Sequence, residues 1–383
     1  MKLHVFLNSY GIRREVGMLS GENGRILFKY APEFLSSGIE LSPFKLPLRP
    51  GVFEDEKRTF GGLFGLFNDS LPDGWGCLLL DRKLRKRGLS FQEISPLRRL
   101  SMIGRNPMGA LEYEPADEEA DEFGKVELDS LSCEVDKIVR GGDSDVLDKL
   151  LTMNGSSGGA RPKIVAWVSE DRKNIVHGGK TPPPGFTPWI IKFPEKHDPQ
   201  TAGELEYRYS LAAKAAGIDM PETYLFPLKI GGGCFGVRRF DRTPQGKVHV
   251  HTACGLLHAS HRCPTLDYEN LLKLTFVLTR NHADVEEMVR RMIFNVKSGN
   301  RDDHSKNFSF LLTTENEWRL APAYDLTPCA GLNGEHTCMV NGKGRGITDD
   351  DLIAAAATCG IAGSKVRAMI TEVGPAMKKA LLP

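Results

Sequence analysis

The chain has 383 residues, of which 40% are hydrophobic and 26% charged, and its formal net charge is +1. Such values are typical of a globular protein with two or three folded units, and the near-zero charge argues against a general nucleic-acid binder. No apolar run approaches the roughly 20 residues that span a bilayer, so no membrane is expected as a partner. The eight cysteines are scattered without a C-x-x-C pair, which suits reduced thiols in the cytoplasm.

The first part of the chain predicts a small antiparallel sheet followed by helices. Strand-like alternation runs through residues 2–7, 14–19 and 25–30, which are separated by turns that contain glycine. Residues 60–100 then carry leucine and phenylalanine mostly at helical spacing.

The middle of the chain starts with an acidic stretch and returns to strands. Residues 115–130, which include the run Asp117–Glu122, have few bulky hydrophobic side chains and predict a linker or an exposed excursion. Strand signals follow between about 153 and 250, interrupted by one helical segment from Gly203 to Ala216.

A glycine-rich loop at residues 154–163 precedes the first of these strands. Its glycines would let backbone N–H groups approach a phosphate closely. It is not a Walker A loop, because no Gly-Lys-Ser/Thr opens a helix there, and a surface turn is the alternative interpretation. The candidate nucleotide-binding residues of this loop are Ser156, Ser157, Gly158 and Gly159.

Lys192, in the apolar run 189–193, is the candidate phosphate lysine. Kinases use a strand lysine of this kind, paired with a glutamate from a helix. Glu204 and Glu206 open the next helical segment, and we prefer Glu206 as the partner. The alternatives are a lysine that reaches solvent and acidic residues that only complement the helix dipole.

Residues 237–242 end a strand between the two halves of the chain. In a kinase this position contacts adenine through backbone groups, and Asp241 would accept a hydrogen bond from the ribose. A charged strand end is the alternative. Six histidines and cysteines between 249 and 263 are zinc-ligand types without zinc-motif spacing, so metal binding by this cluster stays open.

The most informative stretch is 300–309, followed by Asp325, eighteen residues beyond Asn307. Phosphoryl transfer needs an Asp that orients the attacking hydroxyl, and an Asn and a second Asp that hold magnesium. In protein kinases the catalytic Asp precedes that Asn by five positions, which is the interval from Asp302 to Asn307. We therefore predict Asp302 as the catalytic residue and Asn307 and Asp325 as magnesium ligands. A polar loop with an Asx-turn is the alternative.

The order of elements, a β-rich lobe followed by a mostly helical lobe that carries the Asp…Asn loop, is the general plan of a two-lobed kinase. Helical periodicity dominates from about residue 265, and residues 366–377 predict a closing helix. We place the divisions at 1–114 for the N-terminal subdomain, 115–242 for the lobe with the glycine-rich loop and lysine, and 243–383 for the helical lobe with the catalytic and metal-binding loops.

Six motifs, in the same order, resemble those of the HipA family, the serine/threonine-protein kinase toxins of bacterial toxin–antitoxin pairs. The resemblance covers nearly the whole chain. It implies an α+β, two-lobed protein-kinase-like fold with an N-terminal β-rich subdomain and a mostly helical C-terminal lobe. The motifs lie at residues 67–74, 156–163, 190–194, 239–242, 302–309 and 324–325. One departure is Arg161-Pro162, where Gln-Glu is commoner in the family.

The resemblance implies ATP and Mg²⁺ as cofactors and assigns roles to single positions. Asp302 resembles the catalytic Asp, and Asn307 and Asp325 resemble the magnesium ligands. Lys192 resembles the phosphate-contacting lysine, with His304 as a further residue of the nucleotide site. Arg238 and Phe240 resemble the hinge residues that hold adenine through the backbone, and Ser156, with Ser157 as its rival, resembles the autophosphorylated serine.

The resemblance also implies partners. These are a small helix-turn-helix antitoxin of the HipB type, operator DNA contacted mainly through that antitoxin, and a protein substrate. Known targets in the family include aminoacyl-tRNA synthetases, and the target here stays open. Two alternatives are a small-molecule phosphotransferase of kinase-like fold, in which His often stands where Asn300 is found, and a non-catalytic corepressor. The complete set of Lys192, Asp302, Asn307 and Asp325 argues against the corepressor.

Overall fold

The computed structural model describes residues 1–116, 123–142, 144–179, 181–194 and 201–381. The chain forms two compact units. Unit 1 contains residues 1–41, 48–204 and 222–249, and unit 2 contains 42–47, 205–221 and 250–383. The acidic run Asp117–Glu122, predicted to lie in a linker, is outside the described residues. The predicted three-part division of the chain stays a prediction.

Unit 1 begins with a five-stranded antiparallel sheet, as the alternation in the first 30 residues predicts. Its strands are β1 (Lys2–Ser9), β2 (Ile12–Glu22), β3 (Arg25–Tyr30), β4 (Phe53–Glu54) and β5 (Leu111–Glu114). Their order in the sheet is β4-β3-β2-β1-β5. In β1 the side chains of Leu3, Val5 and Leu7 point inward and are almost fully buried, so one face of the sheet packs into a core.

In the part of unit 1 that the structure describes, the strands are accompanied by short or medium helices. They are α1 (Pro32–Leu35), α2 (Gly65–Asn68), α3 (Gly74–Lys86), α4 (Pro96–Ile103), α5 (Leu128–Val139) and α6 (Leu147–Asn154). Helix α4 shows how the local sequence sets a start, since Ser95 accepts a hydrogen bond from the backbone N–H of Arg98 and Pro96 occupies the first turn.

The second sheet of unit 1 carries the glycine-rich loop and Lys192. Its strands are β6 (Gly124–Lys125), β7 (Lys163–Ser169), β8 (Ile175–His177), β9 (Phe186–Lys192), β10 (Thr223–Phe226) and β11 (Cys234–Arg238), in the antiparallel order β10-β11-β9-β7-β8-β6. The hairpin β12 (Arg242–Thr243) and β13 (Gly246–Lys247) follows. Helices α3, α5 and α6 pack on one face of this sheet through residues such as Trp75, Val135, Leu150, Ile164 and Ile191.

Part of the predicted linker is ordered secondary structure. Residues 115–130 were expected to be a linker or an exposed excursion, yet Val126 and Leu128 are buried in the core of the second sheet. Strand β6 pairs with β8, and α5 begins at Leu128. Both apolar residues lie just beyond the acidic run in the sequence. The many acidic residues made the whole stretch resemble a linker.

Unit 2 is mostly helical. It contains most of α7 (Ala202–Ala215), then α8 (Ala253–Leu257), α9 (Tyr268–Thr279), α10 (His282–Ser298), α11 (Asp349–Ala357) and α12 (Gly363–Leu381). A small sheet has the order β14 (Val250–Thr252), β15 (Ser309–Leu312) and β16 (Trp318–Leu320). Helix α10 runs through the core, where Met288, Met292 and Phe294 are fully buried. The predicted closing helix is confirmed as part of α12.

All eight cysteines are among the described residues, and none of them forms a disulfide. None of the described helices is both long and apolar enough to cross a membrane.

Candidate active site

A hairpin in unit 2 brings the two predicted active-site loops together. Helix α10 ends at Gly299, whose φ of 72° lets the chain turn sharply. A 3₁₀ turn at Ser305–Asn307 leads into β15, and β16 pairs antiparallel to it with Phe310 opposite Leu320. Segments that precede β15 and follow β16 therefore lie at the same end of the hairpin.

Direct contacts join the two segments. The Tyr324 hydroxyl donates to the carbonyl oxygen of Lys306 at 2.6 Å and also contacts the Ser309 hydroxyl. The backbone N–H of Ala321 donates to the carbonyl of Ser309 at 2.9 Å. Asp325, next to Tyr324, is thus held beside the loop that carries the predicted catalytic residue.

Asp302 and Asn307 are coupled within that loop. The side-chain Nδ2 of Asn307 donates to the backbone carbonyl of Asp302 at 2.8 Å, so the carboxamide oxygen is the atom of this side chain that could bind the predicted metal. The Asp302 side chain is exposed, as a group that acts on an incoming hydroxyl must be. Partial desolvation raises the pKa of Asp302; His304 opposes this shift, and the neighbouring carboxylate of Asp325 adds to it.

Asp325 has a φ of 53°, in the left-handed region. Asp enters this region more readily than most residues, but the conformation still has an energetic cost and must be held by its surroundings. One contact that holds it is the hydrogen bond from Asn300 Nδ2 to the Asp325 carbonyl oxygen, at 3.3 Å. The contacts of Asn300 therefore help to hold the backbone of Asp325 in this uncommon conformation.

Asp303, which the sequence analysis did not single out, anchors the catalytic loop. Its side chain is fully buried and its carboxylate accepts four hydrogen bonds. The donors are the Tyr268 hydroxyl (2.9 Å), His336 Nδ1 (2.9 Å), Thr337 N (2.9 Å) and Cys338 N (3.2 Å). Burial, together with the Asp303 charge, raises the pKa of Tyr268 well above its usual value, so its hydroxyl remains a donor.

The hydrogen bonds continue from Asp303 to the segment that carries Asp325. Asn295 Nδ2 donates to the Tyr268 hydroxyl at 2.9 Å, and Asn300 Nδ2 donates to Asn295 Oδ1 at 3.0 Å. Asn300 also contacts the carbonyl of Asp325 at 3.3 Å. A buried polar chain therefore links the residue after Asp302 to the backbone of Asp325. This gives Asn300 a positioning role, whereas the sequence showed only that it replaces a histidine.

His304 lies partly buried in the same loop, with its ring centroid 5.5 Å from that of His261. Its Nδ1 atom is buried and has no hydrogen-bond partner among the described residues. Buried polar atoms are normally satisfied by protein, water or ligand. This atom is therefore a candidate contact for a bound molecule, in line with the predicted nucleotide role of His304.

The histidine and cysteine cluster between 249 and 263 does not assemble a metal site among the described residues, where no group of three suitable side chains is found. His251 instead contacts the Ser42 hydroxyl through Nε2, at 3.1 Å in the buried interior of unit 2.

Two lysines lie opposite each other in unit 1. Lys163 at the start of β7 pairs in register with Lys192 at the end of β9, so both side chains leave the same face of the sheet. Lys163 is 4% exposed and its ammonium donates to the carbonyl of Gly158. Lys192 is half-buried, with Nζ 5.7 Å from the Phe235 ring centroid. Directly opposed like charges repel, so the pair suits an anion such as a phosphate group.

Only Lys192 was singled out from the sequence. Lys163 was missed because it stood at the end of a loop, where a charged residue is ordinary. The signal that would have found it is its position as the first residue of a strand directly after the glycine-rich loop.

The two candidate serines of the glycine-rich loop are both buried, at 2% exposure for Ser156 and 1% for Ser157. Ser156 Oγ accepts a hydrogen bond from the Met108 backbone N–H at 2.6 Å. Ser157 Oγ donates to Asn154, the last residue of α6. The loop must therefore rearrange before either hydroxyl can react. Gly159 has a φ of 95°, which favours glycine at this position.

Asp241 carries a buried, charged carboxylate in unit 1. Its carboxylate is 2% exposed and accepts hydrogen bonds from both Arg239 and Arg242 and from the Gly109 backbone N–H at 2.8 Å. Burial alone would raise the pKa of Asp241, but the two guanidinium groups hold it well below its usual range. Because these donors occupy the carboxylate, the geometry assigns Asp241 a structural role instead of the expected hydrogen bond to a ribose.

The remaining predicted site residues are Arg238, Phe240 and Glu206. Arg238 is exposed at the end of β11, and its backbone N–H donates to the carbonyl of Glu222 at 2.8 Å. Phe240 follows and is half-buried. Glu206 is 3% exposed on α7 and belongs to unit 2, whereas Lys192 belongs to unit 1. The hinge contacts and the pairing of Lys192 with Glu206 stay predictions.

The chain resembles two proteins of Sinorhizobium fredii over most of its length, each of which is named as a putative kinase. It is 27% identical to “Putative kinase Y4dM” over 344 residues, which are 84% of this chain and 76% of that protein. It is also 27% identical to “Putative kinase Y4mE” over 350 residues, again 84% of this chain and 76% of the relative.

A solved structure shares the fold. HipA of Shewanella oneidensis MR-1, determined in a complex with HipB and its operator DNA, superposes with a TM-score of 0.72 at 19% identity, covering 100% of this chain and 91% of that one. This likeness confirms the predicted α+β, kinase-like fold. Family models match both parts of the sequence: the HipA N-terminal domain over residues 3–114 and the HipA-like C-terminal domain over residues 155–381. The chain therefore belongs to the HipA family.

Proposed function

We propose that this protein is an ATP- and Mg²⁺-dependent serine/threonine-protein kinase that acts as the toxin of a toxin–antitoxin pair. The observation that carries the proposal is the hairpin β15–β16, which brings Asp302, Asn307 and Asp325 to one end of unit 2. These are the residue types that kinases use to orient the nucleophile and to hold the metal.

Asp302 would act on the substrate hydroxyl. Its exposed carboxylate can accept the hydrogen bond of an incoming serine or threonine side chain and align its oxygen for attack on the γ-phosphate. The buried chain that starts at Asp303 keeps the loop in place, so the carboxylate does not have to be ordered at the moment of reaction.

The donor set fits magnesium. Mg²⁺ prefers oxygen ligands and usually takes one or two protein carboxylates or amides together with phosphate oxygens. The Asp325 carboxylate and the Asn307 carboxamide oxygen are such ligands, and the Asn307 Nδ2 contact with Asp302 fixes which end of the amide is presented. When bound, the metal would neutralise charge on the nucleotide phosphates.

Unit 1 would supply phosphate contacts. Lys163 and Lys192 offer two ammonium groups on one face of the sheet, and the glycine-rich loop adds backbone N–H groups. The autophosphorylation expected at Ser156 belongs to this part of the proposal.

The partners follow from the family. The Shewanella oneidensis relative was solved with HipB and operator DNA. We propose that this chain likewise binds a helix-turn-helix antitoxin, which inhibits the kinase. Contact with operator DNA would be made mainly through that antitoxin. The substrate would be a cellular protein, and an aminoacyl-tRNA synthetase is the first class to test.

One experiment tests the core of the proposal. Purified wild-type protein and the Asp302→Asn variant are incubated with labelled ATP and Mg²⁺, together with cell-extract proteins or with sugar and antibiotic acceptors. We expect label on protein serine or threonine with the wild type, and a rate at least about 10²-fold lower with the variant, whose ATP binding persists.

The other outcomes separate the alternatives. Label on small molecules alone would support a phosphotransferase. Absence of any transfer by a wild-type protein that still binds the antitoxin would support a corepressor. Incorporation by Asp302→Asn at the wild-type rate would remove Asp302 from the catalytic role.

A further inference from the structure

The motif at residues 67–74 contacts the glycine-rich loop at Gly159. The Asp73 carboxylate accepts a hydrogen bond from the Gly159 backbone N–H. The Trp75 backbone N–H donates to the carbonyl oxygen of the same glycine at 3.1 Å. Both polar backbone groups of Gly159 are therefore bound by the start of helix α3.

The two segments approach so closely that glycine is needed between them. A Cβ atom on Gly74, whose φ is 36°, would lie 2.5 Å from the Ala160 Cα atom. A Cβ on Gly76 would lie 2.6 Å from the side-chain nitrogen of Asn154, the last residue of α6 before the loop. Side chains at these two positions would force the neighbouring atoms to shift. The glycines in the sequence Asp-Gly-Trp-Gly at the start of α3 therefore allow the close approach of the loop and of Asn154.

Asp73 does not cap its own helix. It occupies the N-cap position of α3, where an Asp side chain usually accepts a backbone N–H of the first turn, yet no such bond is made. The carboxylate contacts the Gly159 N–H instead. This amide is one of those that a phosphate-binding loop would offer to a nucleotide. The Asp73 carboxylate therefore binds, from within the protein, a backbone N–H that could otherwise bind a phosphate.

A second contact holds the other end of the loop. The Met108 backbone N–H donates to Ser156 Oγ at 2.6 Å, and a Cβ on Gly155 would lie 3.2 Å from the carbonyl oxygen of Asn106. Residues 106–108 lead into strand β5 of the first sheet. The loop is thus held near Ser156 by one segment of the N-terminal region and near Gly159 by another.

We propose that Asp73 is a positioning residue that holds the glycine-rich loop in this conformation and thereby limits phosphorylation of Ser156. With the bond in place, the Ser156 hydroxyl stays buried against Met108. Without it, the loop opens more often and the hydroxyl becomes accessible. The effect on Ser156 rests on the proposed kinase function, whereas the effect on loop opening does not.

Hydrogen exchange measures loop opening without any catalysis. The full chain without nucleotide is compared as wild type, Asp73→Ala, Asp73→Asn and the control Asp81→Asn, which removes an exposed ion pair with Arg85 on the same helix. A hydrogen bond to a charged group is worth enough to change opening about tenfold or more. We expect that increase in peptides covering residues 154–163 for Asp73→Ala, a smaller one for Asp73→Asn, and none for the control.

A second measurement follows phosphate on Ser156 by mass spectrometry after addition of ATP and Mg²⁺. The Asp73 variants should accumulate it faster, in the same order as their loop exchange. Unchanged loop exchange in Asp73→Ala would overturn the inference and leave the kinase proposal intact. Exchange that rises equally in strands β1–β3 would overturn it as well, because the effect would be general destabilisation. Faster opening without faster modification in an active kinase would overturn the role in limiting phosphorylation.

Discussion

His336 Nδ1 lies 2.9 Å from Oδ2 of Asp303, the residue directly after the predicted catalytic Asp302. Both side chains are buried in unit 2, at 8% and 0% exposure. His336 comes from the segment that follows Asp325, so this contact ties that segment to the loop that carries Asp302. The chain of hydrogen bonds from Asp303 through Tyr268 then leads back to Asp325.

Replacing His336 should lower both the stability of unit 2 and the rate of phosphoryl transfer, by an amount that depends on the new residue. His336→Ala removes a donor from a buried carboxylate, which we expect to lower the free energy of unfolding of unit 2 by about 1.5–3 kcal/mol. The rate of phosphoryl transfer should fall while the KM for ATP changes little. Thermal unfolding and steady-state kinetics measure both effects.

His336→Gln serves as the matched comparison because it keeps an N–H donor of similar reach. It should recover part of the stability and of the rate. A positioning role for the Asp303 contact would be contradicted if His336→Ala and His336→Gln lost the same amount of rate. A change confined to KM would contradict it as well.

Loss of either predicted metal ligand should weaken magnesium-dependent nucleotide binding. In Asp325→Ala a carboxylate is removed, and in Asn307→Ala both a ligand oxygen and the contact to the Asp302 carbonyl are removed. Calorimetry with ATP in the presence and absence of Mg²⁺ should show that the metal no longer increases affinity. Asp350→Ala, at an exposed position in the first turn of α11, should behave as the wild type. Unchanged Mg²⁺ dependence in both site variants would place the metal elsewhere.

The sequence predicted what depends on local pattern. Alternation in residues 2–30 predicted the first sheet, and spacing in residues 366–377 predicted the closing helix. The interval from Asp302 to Asn307 predicted one shared loop; in the structure Asn307 Nδ2 donates to the backbone carbonyl of Asp302, and the catalytic and metal-binding roles stay predictions. Short-range spacing is preserved on folding, which is why such patterns can be recognised.

What the sequence did not show depends on contacts between distant residues. Asp241 was expected to bind a ribose, but its carboxylate meets the Gly109 backbone 132 positions away. Asp303 and Asp302 are adjacent and chemically identical, and only folding buries one and exposes the other. Lys163 lies opposite Lys192 only because β7 and β9 pair, and this pairing joins residues that are 29 positions apart in the sequence.

The two opposed lysines should contribute separately to ATP binding. Lys163→Met and Lys192→Met each remove one cation from a site where both project from the same face of the sheet. A charge-assisted contact to phosphate is worth about 1.5–3 kcal/mol, so each variant should lose roughly tenfold or more in ATP affinity. Fluorescence or calorimetric titration measures this.

Lys173→Met, at an exposed turn between β7 and β8, controls for a general change of charge. Lys163→Met should in addition loosen the glycine-rich loop, because its ammonium contacts Gly158. Wild-type affinity in Lys163→Met would show that this lysine is purely structural.

The buried Asp241 should make stability depend on acid. Its folded-state pKa lies below the unfolded value of about 3.9, so the stabilisation is fully present above that pH and is lost as the pH falls towards the folded pKa. Asp241→Asn leaves Arg239 and Arg242 without their anion, and we expect it to cost about 3–5 kcal/mol at pH 7. Denaturation of both proteins at pH 7 and at pH 3 should show the difference shrinking in acid.

Asp136→Asn is the control for this comparison, because it breaks an exposed ion pair with Arg140 at the C-terminal end of helix α5. Such pairs contribute at most about 0.5 kcal/mol. A difference between wild type and Asp241→Asn that stays constant from pH 7 to pH 3 would contradict the assigned ionisation.

Phosphorylation of Ser156 should inactivate the kinase by keeping the glycine-rich loop out of its present position. Ser156 is 2% exposed and its oxygen accepts the Met108 N–H, so there is no room for a group that adds about 1.5–2 negative charges. Wild-type protein preincubated with ATP and Mg²⁺ should therefore lose activity as phosphate appears at Ser156. The Ser156→Ala variant, which cannot be modified there, should keep its activity under the same treatment.

Mass spectrometry beside an activity assay decides this prediction. Ser157→Ala is the matched control, because Ser157 is equally buried but donates to Asn154 within its own segment. It should still be inactivated, with phosphate at Ser156. Phosphate found at Ser157 in the wild type would move the regulatory role to that neighbour. An active enzyme whose loop carries no phosphate after prolonged incubation would show that this protein is not controlled by its own modification, because the buried hydroxyl would then never become exposed under turnover conditions.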